Sequence, residues 1–400
     1  MPDNPQDEPK GSASSQTPIK HILLFCAVVF FFWAGIYLYA PILPVYSQSL
    51  GADLSMVGAI VAAYGIPQLL LRIPIGIVFD SLKRKKPLLV AGIVIASVGS
   101  LGLGLATNPW MLFAARTVSG IGAATWVSFV VYFSAYYTPG NVNRAVSVLS
   151  FMFWGALVVA AYCGGLIAQA SGYRQTFFVA AVLGIIALFA VLFTKEPVIA
   201  KVERISWSNF KPLAVYPPLL LVCLMGILST FGDFSSIFGF VPVYGAGIGA
   251  SSADLGIIAM LSLAAAAVGA ILTVRVVKLW GAPLVFLLAS ILLGITTLTI
   301  PLIHDVSLLK AVMLFNGLGR GFTATIVMSL GIQVASPQQR ATAMGIFQAA
   351  LALGMLLGPL LSGFIAQSWG LATVFYLSTF CYLAPCVIAY LPAVKRVESR

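Results

Sequence analysis

Apolar residues run along this chain in long blocks separated by short polar stretches, and every block is at least as long as a membrane crossing requires. Windows of about 20 residues, the number a helix needs to cross a bilayer core, find apolar segments near 22–45, 56–79, 87–106, 110–136, 145–168 and 175–194. A second set follows near 217–245, 254–277, 282–302, 308–333, 342–367 and 372–392. The pattern predicts an all-α membrane protein with twelve transmembrane helices. Residues 1–19 are rich in Pro, Ser, Asp and Gln, carry no apolar run, and read as a disordered cytoplasmic tail. The first segment is too long for a signal-peptide core and lacks a small-residue cleavage pattern, so it is expected to remain as a helix. The one long polar connection, Lys195 to Pro212, falls between the sixth and seventh segments. The expected organisation is a tail (1–19), a six-helix bundle (20–195), a cytoplasmic linker (196–213), a second bundle (214–393) and a short cytoplasmic tail (394–400).

Composition agrees. Of 400 residues, 60% are apolar and 8% charged, with a mean hydropathy of +1.03, whereas an ordinary globular chain is about a quarter charged. Such a chain cannot clothe itself in water, which excludes a secreted disulfide scaffold, a nucleic-acid-binding domain and a cytosolic enzyme. The net charge of +11 is scattered between apolar runs rather than clustered on one solvated face, so no nucleic-acid partner is expected. Cys26, Cys163, Cys223, Cys381 and Cys386 all sit in apolar runs without ligand spacing and read as buried free thiols. Neither a metal, a cofactor nor a catalytic group is expected.

The bases report topology. With the amino terminus inside, seventeen of the twenty-two Lys and Arg residues fall in cytoplasmic segments and two, Arg174 and Lys310, in outer loops. Both termini are therefore expected in the cytoplasm. The halves also repeat. At a shift of 198 residues Pro44-Val45-Tyr46 meets Pro242-Val243-Tyr244, Ile167-Ala168-Gln169 meets Ile365-Ala366-Gln367, and Gly51, Gly58 and Phe177 meet Gly249, Gly256 and Phe375. Two pseudo-symmetric six-helix bundles follow, with parallel repeats, an architecture in which substrate binds between the halves.

Between the second and third segments stands GIVFDSLKRKK, Gly76 to Lys86. It resembles the signature loop of the major facilitator superfamily, although Lys83 replaces the second glycine. Leu112 to Trp126, with Arg116 ahead of Gly120, Gly122, Ala123 and Ala124, is similar to that family's fourth helix. The resemblance covers the whole hydrophobic chain. It implies the twelve-helix fold of a secondary transporter working by alternating access, with gating at Gly76, Asp80 and Arg84. Gly76 would then allow a close helix contact, and Asp80 would accept hydrogen bonds from a neighbouring helix end. The Gly-Pro pair usual in the fifth helix of the family's drug/proton antiporters is absent from Ala160 to Gly165.

Ionised groups inside the bilayer cost about 3 kcal/mol even on lenient scales, so each demands a reason. Asp233 is the one acid deep in a span, with Ser229 and Ser236 on its helical face. Arg116 and Arg320 lie within the fourth and tenth segments. Asn316, Arg320 and Thr323 share one stripe, Tyr64, Gln68 and Arg72 another, and Trp33 and Tyr37 a third. The family resemblance places the first, fourth, seventh and tenth helices around a central cavity. Ionised, Asp233 would pair with an arginine; protonated, it would release that arginine to a substrate anion. Asp233 is the candidate for proton coupling, and Arg116, Arg320, Asn316, Trp33, Tyr37 and Gln68 are candidates for substrate binding. Arg72 reads equally as a residue snorkelling to lipid phosphate, Arg116 as a structural bundle residue, and the aromatics as packing or interface anchors.

The expectation is a monomeric, multi-pass transporter of the inner (cytoplasmic) membrane that moves a small organic anion or zwitterion, coupled to protons. The alternatives are a multidrug/proton antiporter and, behind it, a lipid or lysolipid flippase, which would need a lateral opening lined by apolar residues.

Overall fold

A computed structural model describes residues 19–138, 141–197, 213–336 and 339–392. The two expected tails, apart from Ile19, and most of the expected linker lie outside these residues. Among the described residues, twelve helices are long and apolar enough to cross a membrane. In the first half these are α1 (Ile19–Tyr37), α2 (Leu54–Ser81), α3 (Lys86–Leu105), α4 (Pro109–Ser134), α5 (Arg144–Ser171) and α6 (Tyr173–Leu192). In the second they are α7 (Pro217–Gly247), α8 (Ser252–Trp280), α9 (Ala282–Leu302), α10 (Val306–Gln333), α11 (Thr342–Trp369) and α12 (Leu371–Ala389).

The 198-residue repeat reappears in backbone geometry. Gly51 and Gly249 both adopt φ near +90°, as do Gly172 and Gly370, a left-handed conformation that glycine adopts without steric cost. The first turn of α2 is capped by the Asp53 side chain, that of α8 by Ser251, one repeat apart. One difference stands out. The first segment, expected to run to residue 45, ends as a helix at Tyr37 and resumes only at Leu43–Ser49. Pro41 and Pro44 lack the N–H groups that would continue the ladder. In α7 the equivalent turn is spanned by a π-helix, Ser236–Phe240, just ahead of Pro242.

Helices within each half pack through glycine. A Cβ on Gly164 would overlap the Leu38 carbonyl, so α5 meets the end of α1 backbone to backbone. Gly164→Val should therefore shear this contact and lower the melting temperature or the folded yield. Overpacking costs about 1–3 kcal/mol, a loss that a thermal melt in detergent resolves.

The two halves touch chiefly through α2 against α11 and α5 against α8. Contacts are tightest at the face opposite the termini, where Gly58 meets Gly363 and Gly165 meets Gly256. Towards the termini face, an added Cβ on Gly76, Gly155 or Gly345 would meet nothing within 4 Å. The close helix contact expected of Gly76 is thus not made in this state. A crevice of about 880 Å³ opens at the termini face between α1, the end of α4 and α5, walled by Cys26, Phe30, Phe31, Met152 and Arg144.

Candidate functional site

Arg116 and Arg320 are 8% and 5% exposed, and small residues determine what surrounds each. One turn after Arg116, Gly120 lets α4 approach α2 until an added Cβ would stand 2.7 Å from the Tyr64 carbonyl. That approach lays the Tyr64 ring 4.5 Å from the Arg116 guanidinium. Tyr39 covers another side, its ring at 5.4 Å. Its hydroxyl accepts a 3.3 Å hydrogen bond from Arg116 and exchanges one of 2.8 Å with Ser119. In the second half, Gly317 and Gly321 bring α10 against the backbone of α8 at Ser262 and Ala266. Arg320 then donates to the Ser262 hydroxyl at 3.4 Å and lies 5.7 Å from the Phe238 ring.

Neither arginine has a carboxylate partner among the described residues. Among the described residues the one ion pair is Lys310–Asp254 at 2.5 Å, on the face opposite the termini. The Nε atoms of Arg116 and Arg320 are both buried without a hydrogen-bond partner. Aromatic rings stabilise a guanidinium by about 0.5–2 kcal/mol, less than burial of an unpaired charge costs. Two cations thus retain unused donor capacity. Tyr37 lies within electrostatic reach of both, and its ring meets Phe238 edge-on at 6.0 Å, joining α1 of one half to α7 of the other. A small recess there is lined by Tyr37, Val61, Tyr64, Arg116, Phe234 and Phe238.

Asp233 sits on α7, half-buried, within reach of the Arg320 charge, but forms no ion pair with it. Its Oδ1 instead accepts a 2.9 Å hydrogen bond from Tyr382 on α12, whose hydroxyl also lies 3.3 Å from Ser236. The Arg320 charge acts on Asp233, so one of the two expected cations is near it.

The remaining candidates disperse. Asn316 is fully buried and donates to Thr296 and Thr297 on α9, both at 3.0 Å, which turns it into the second bundle. Gln68 accepts at 2.6 Å from Arg72, and Arg72 donates at 2.9 Å to Gln348 of α11. Arg72 therefore bridges the halves rather than reaching for lipid. Trp33 packs with Trp126 and Phe153 inside the first bundle, its indole N–H unpartnered. Asp80 and Arg84 are exposed, and the Asp80 carboxylate meets no helix end among the described residues. The loop is instead pinned by Lys85 and Lys86. Their backbone N–H groups donate to Glu196, and their ammonium groups cap the ends of α2 and α6 at Asp80, Leu192 and Thr194.

Sequence reading missed Phe238 and Tyr382. Phe238 is five residues beyond Asp233, off its face in a regular α-helix; the intervening π-turn realigns it. Tyr382 lies 149 residues away from Asp233 in a segment that reads as uniformly apolar.

Two six-helix halves packed about a small recess, with the Arg116 guanidinium in its wall, have the arrangement of membrane transporters built from parallel repeats. A family model, the Major Facilitator Superfamily, matches residues 25–251 and 224–400, and the chain belongs to that superfamily. It is 28% identical over 172 residues to an uncharacterized transporter of Buchnera aphidicola subsp. Schizaphis graminum, covering 43% of this chain and 44% of that protein. It is 26% identical to the quinolone resistance protein NorA of Staphylococcus aureus, covering 55% and 58%. The chain thus spans about half the length of these curated relatives. Among solved structures, the nucleoside transporter NupG superposes with a TM-score of 0.74 at 14% identity, over 94% of this chain and 99% of that one, which shows the fold alone.

Proposed function

We propose that this protein is a proton-coupled secondary transporter of a small organic anion. The observation that carries the reading is a pair of buried guanidinium groups without carboxylate partners among the described residues, Arg116 in the wall of the recess between the halves and Arg320 behind its Phe238 wall. The recess holds about 10 Å³ in the state described, so substrate enters only as the halves part; an anion there gains charge-assisted hydrogen bonds from unsatisfied donors, while the rings of Tyr37, Tyr64 and Phe238 accommodate its apolar part. Arg116, Arg320 and Tyr37 bind; Trp33 backs Tyr37; Gln68 and Asn316 hold neighbouring helices in place. Asp233 carries the proton. Ionised, it competes with the substrate for Arg320; protonated, it leaves Arg320 to the substrate. The Gly76–Asp80–Arg84 loop acts in gating. The protein works as a monomer in the cytoplasmic membrane, both termini inside, and the state described is then closed outward.

Similarity to the quinolone resistance protein NorA favours a second reading, multidrug/proton antiport with amphipathic compounds as substrates. Proteoliposomes containing a pH-sensitive dye separate the two. A carboxylate added outside should shift the lumen pH, whereas a cationic dye should not. A shift with cationic compounds alone would overturn the anion reading in favour of drug antiport.

A further inference from the structure

The repeated Ile-Ala-Gln triplets have no part in the anion site, yet both of their glutamines make the same contact. Gln367, at the end of α11, accepts a hydrogen bond at 3.1 Å from the backbone N–H of Leu54 in the first turn of α2. Gln169, at the end of α5, accepts one at 3.2 Å from the backbone N–H of Ser252 in the first turn of α8. Donors and acceptors are each one 198-residue repeat apart, so the two bonds are related by the pseudo-symmetry of the halves. Both cross from one half to the other, and both lie at the face opposite the termini.

Each glutamine sits beside a glycine crossing that obeys the same symmetry. A Cβ on Gly58 would stand 2.7 Å from the Gly363 Cα, and one on Gly256 would stand 2.9 Å from the Gly165 Cα. The flanking carbonyls correspond too: Pro359 faces Gly58 as Ala161 faces Gly256. The glycines bring the backbones together, and the glutamines reach across to satisfy N–H groups that have no partner inside their own helix. Asp53 and Ser251 accept instead from Met56 and Asp254, two residues further on, leaving the N–H of Leu54 and of Ser252 for the other half.

We infer that Gln169 and Gln367 are functional residues of the transport cycle, a matched pair of latches that hold the face opposite the termini closed. Opening that face separates α2 from α11 and α5 from α8, so both bonds break together and two backbone donors turn to water. Because the latches are equivalent, each contributes equally to the balance between closed and open states. A glutamine carbonyl suits this role: it is a neutral acceptor, strong enough to bias the equilibrium and weak enough to release. The inference is independent of the substrate and of proton coupling.

The test uses the full chain in lipid nanodiscs, with spin labels at Ser49→Cys and Gly247→Cys, both on this face, and Cys163 replaced by serine. Pulsed dipolar spectroscopy then reads the populations of short and long distances. Gln169→Leu and Gln367→Leu should each lower the closed-to-open ratio about fivefold, the value of one ordinary hydrogen bond, and the double variant about 25-fold. Gln169→Glu and Gln367→Glu retain an acceptor oxygen and should stay closed, which separates a lost latch from a damaged fold. A double leucine variant with the wild-type distribution, or glutamate variants as open as the leucine ones, would overturn the inference.

Discussion

Arg320→Ala should weaken transport of the anion, the effective affinity falling by up to about 100-fold, as expected when a buried charge-assisted hydrogen bond of about 1.5–3 kcal/mol is removed. Arg320 has one long hydrogen bond, to Ser262, and one aromatic neighbour, so most of its donor capacity is free for substrate. Arg116→Ala should also weaken transport, but less, because Arg116 already donates to Tyr39 and lies against two tyrosine rings. Lysine at position 320 should rescue only partly: it keeps the charge without the forked geometry of the guanidinium. Initial-rate uptake across a range of substrate concentrations checks the ordering, the loss appearing in KM before kcat. Equal tolerance of alanine at both positions would mean that substrate does not touch them.

The second large effect is expected at Asp233. With asparagine there, no proton is carried, and a pH gradient should no longer concentrate substrate. For coupling of one proton to one substrate, each pH unit supports about tenfold accumulation in the wild type, and none in Asp233→Asn. Exchange of labelled for unlabelled substrate at equal pH should persist in the variant, because Arg116 and Arg320 remain. The Tyr382 hydroxyl holds the carboxylate in the described state. Tyr382→Phe should therefore change the pH at which accumulation is half-maximal while leaving exchange intact. Accumulation by Asp233→Asn at the wild-type level would remove the residue from the coupling mechanism.

The fold was legible because a bilayer makes the code coarse: twelve apolar blocks, each long enough to span it, yield twelve helices among the described residues, and the Pro-Val-Tyr and Ile-Ala-Gln triplets mark the duplication. Buried charges were legible for the same reason, since apolar surroundings make Arg116, Asp233 and Arg320 conspicuous. Partners were not. Helical spacing placed Asn316 and Arg320 on one stripe, yet Asn316 turns towards the threonines of α9 while Arg320 turns towards Ser262 and Phe238. Spacing reports a shared face and says nothing about which neighbour fills it. Arg72 offered no signal for its hydrogen bond to Gln348, 276 residues distant. Gly76 is a different case. Its place in the signature loop implied a close helix contact, and the structure leaves open space beside it.

Isothermal titration of the purified protein tests the anion chamber most directly, comparing a small aromatic carboxylate with its neutral amide. The wild type should bind the carboxylate and give no heat with the amide, and an Arg116→Gln/Arg320→Gln variant should lose that discrimination. Equal binding of both ligands by the wild type, or unchanged carboxylate binding by the double variant, would contradict the claim that two unpaired guanidinium groups define the substrate.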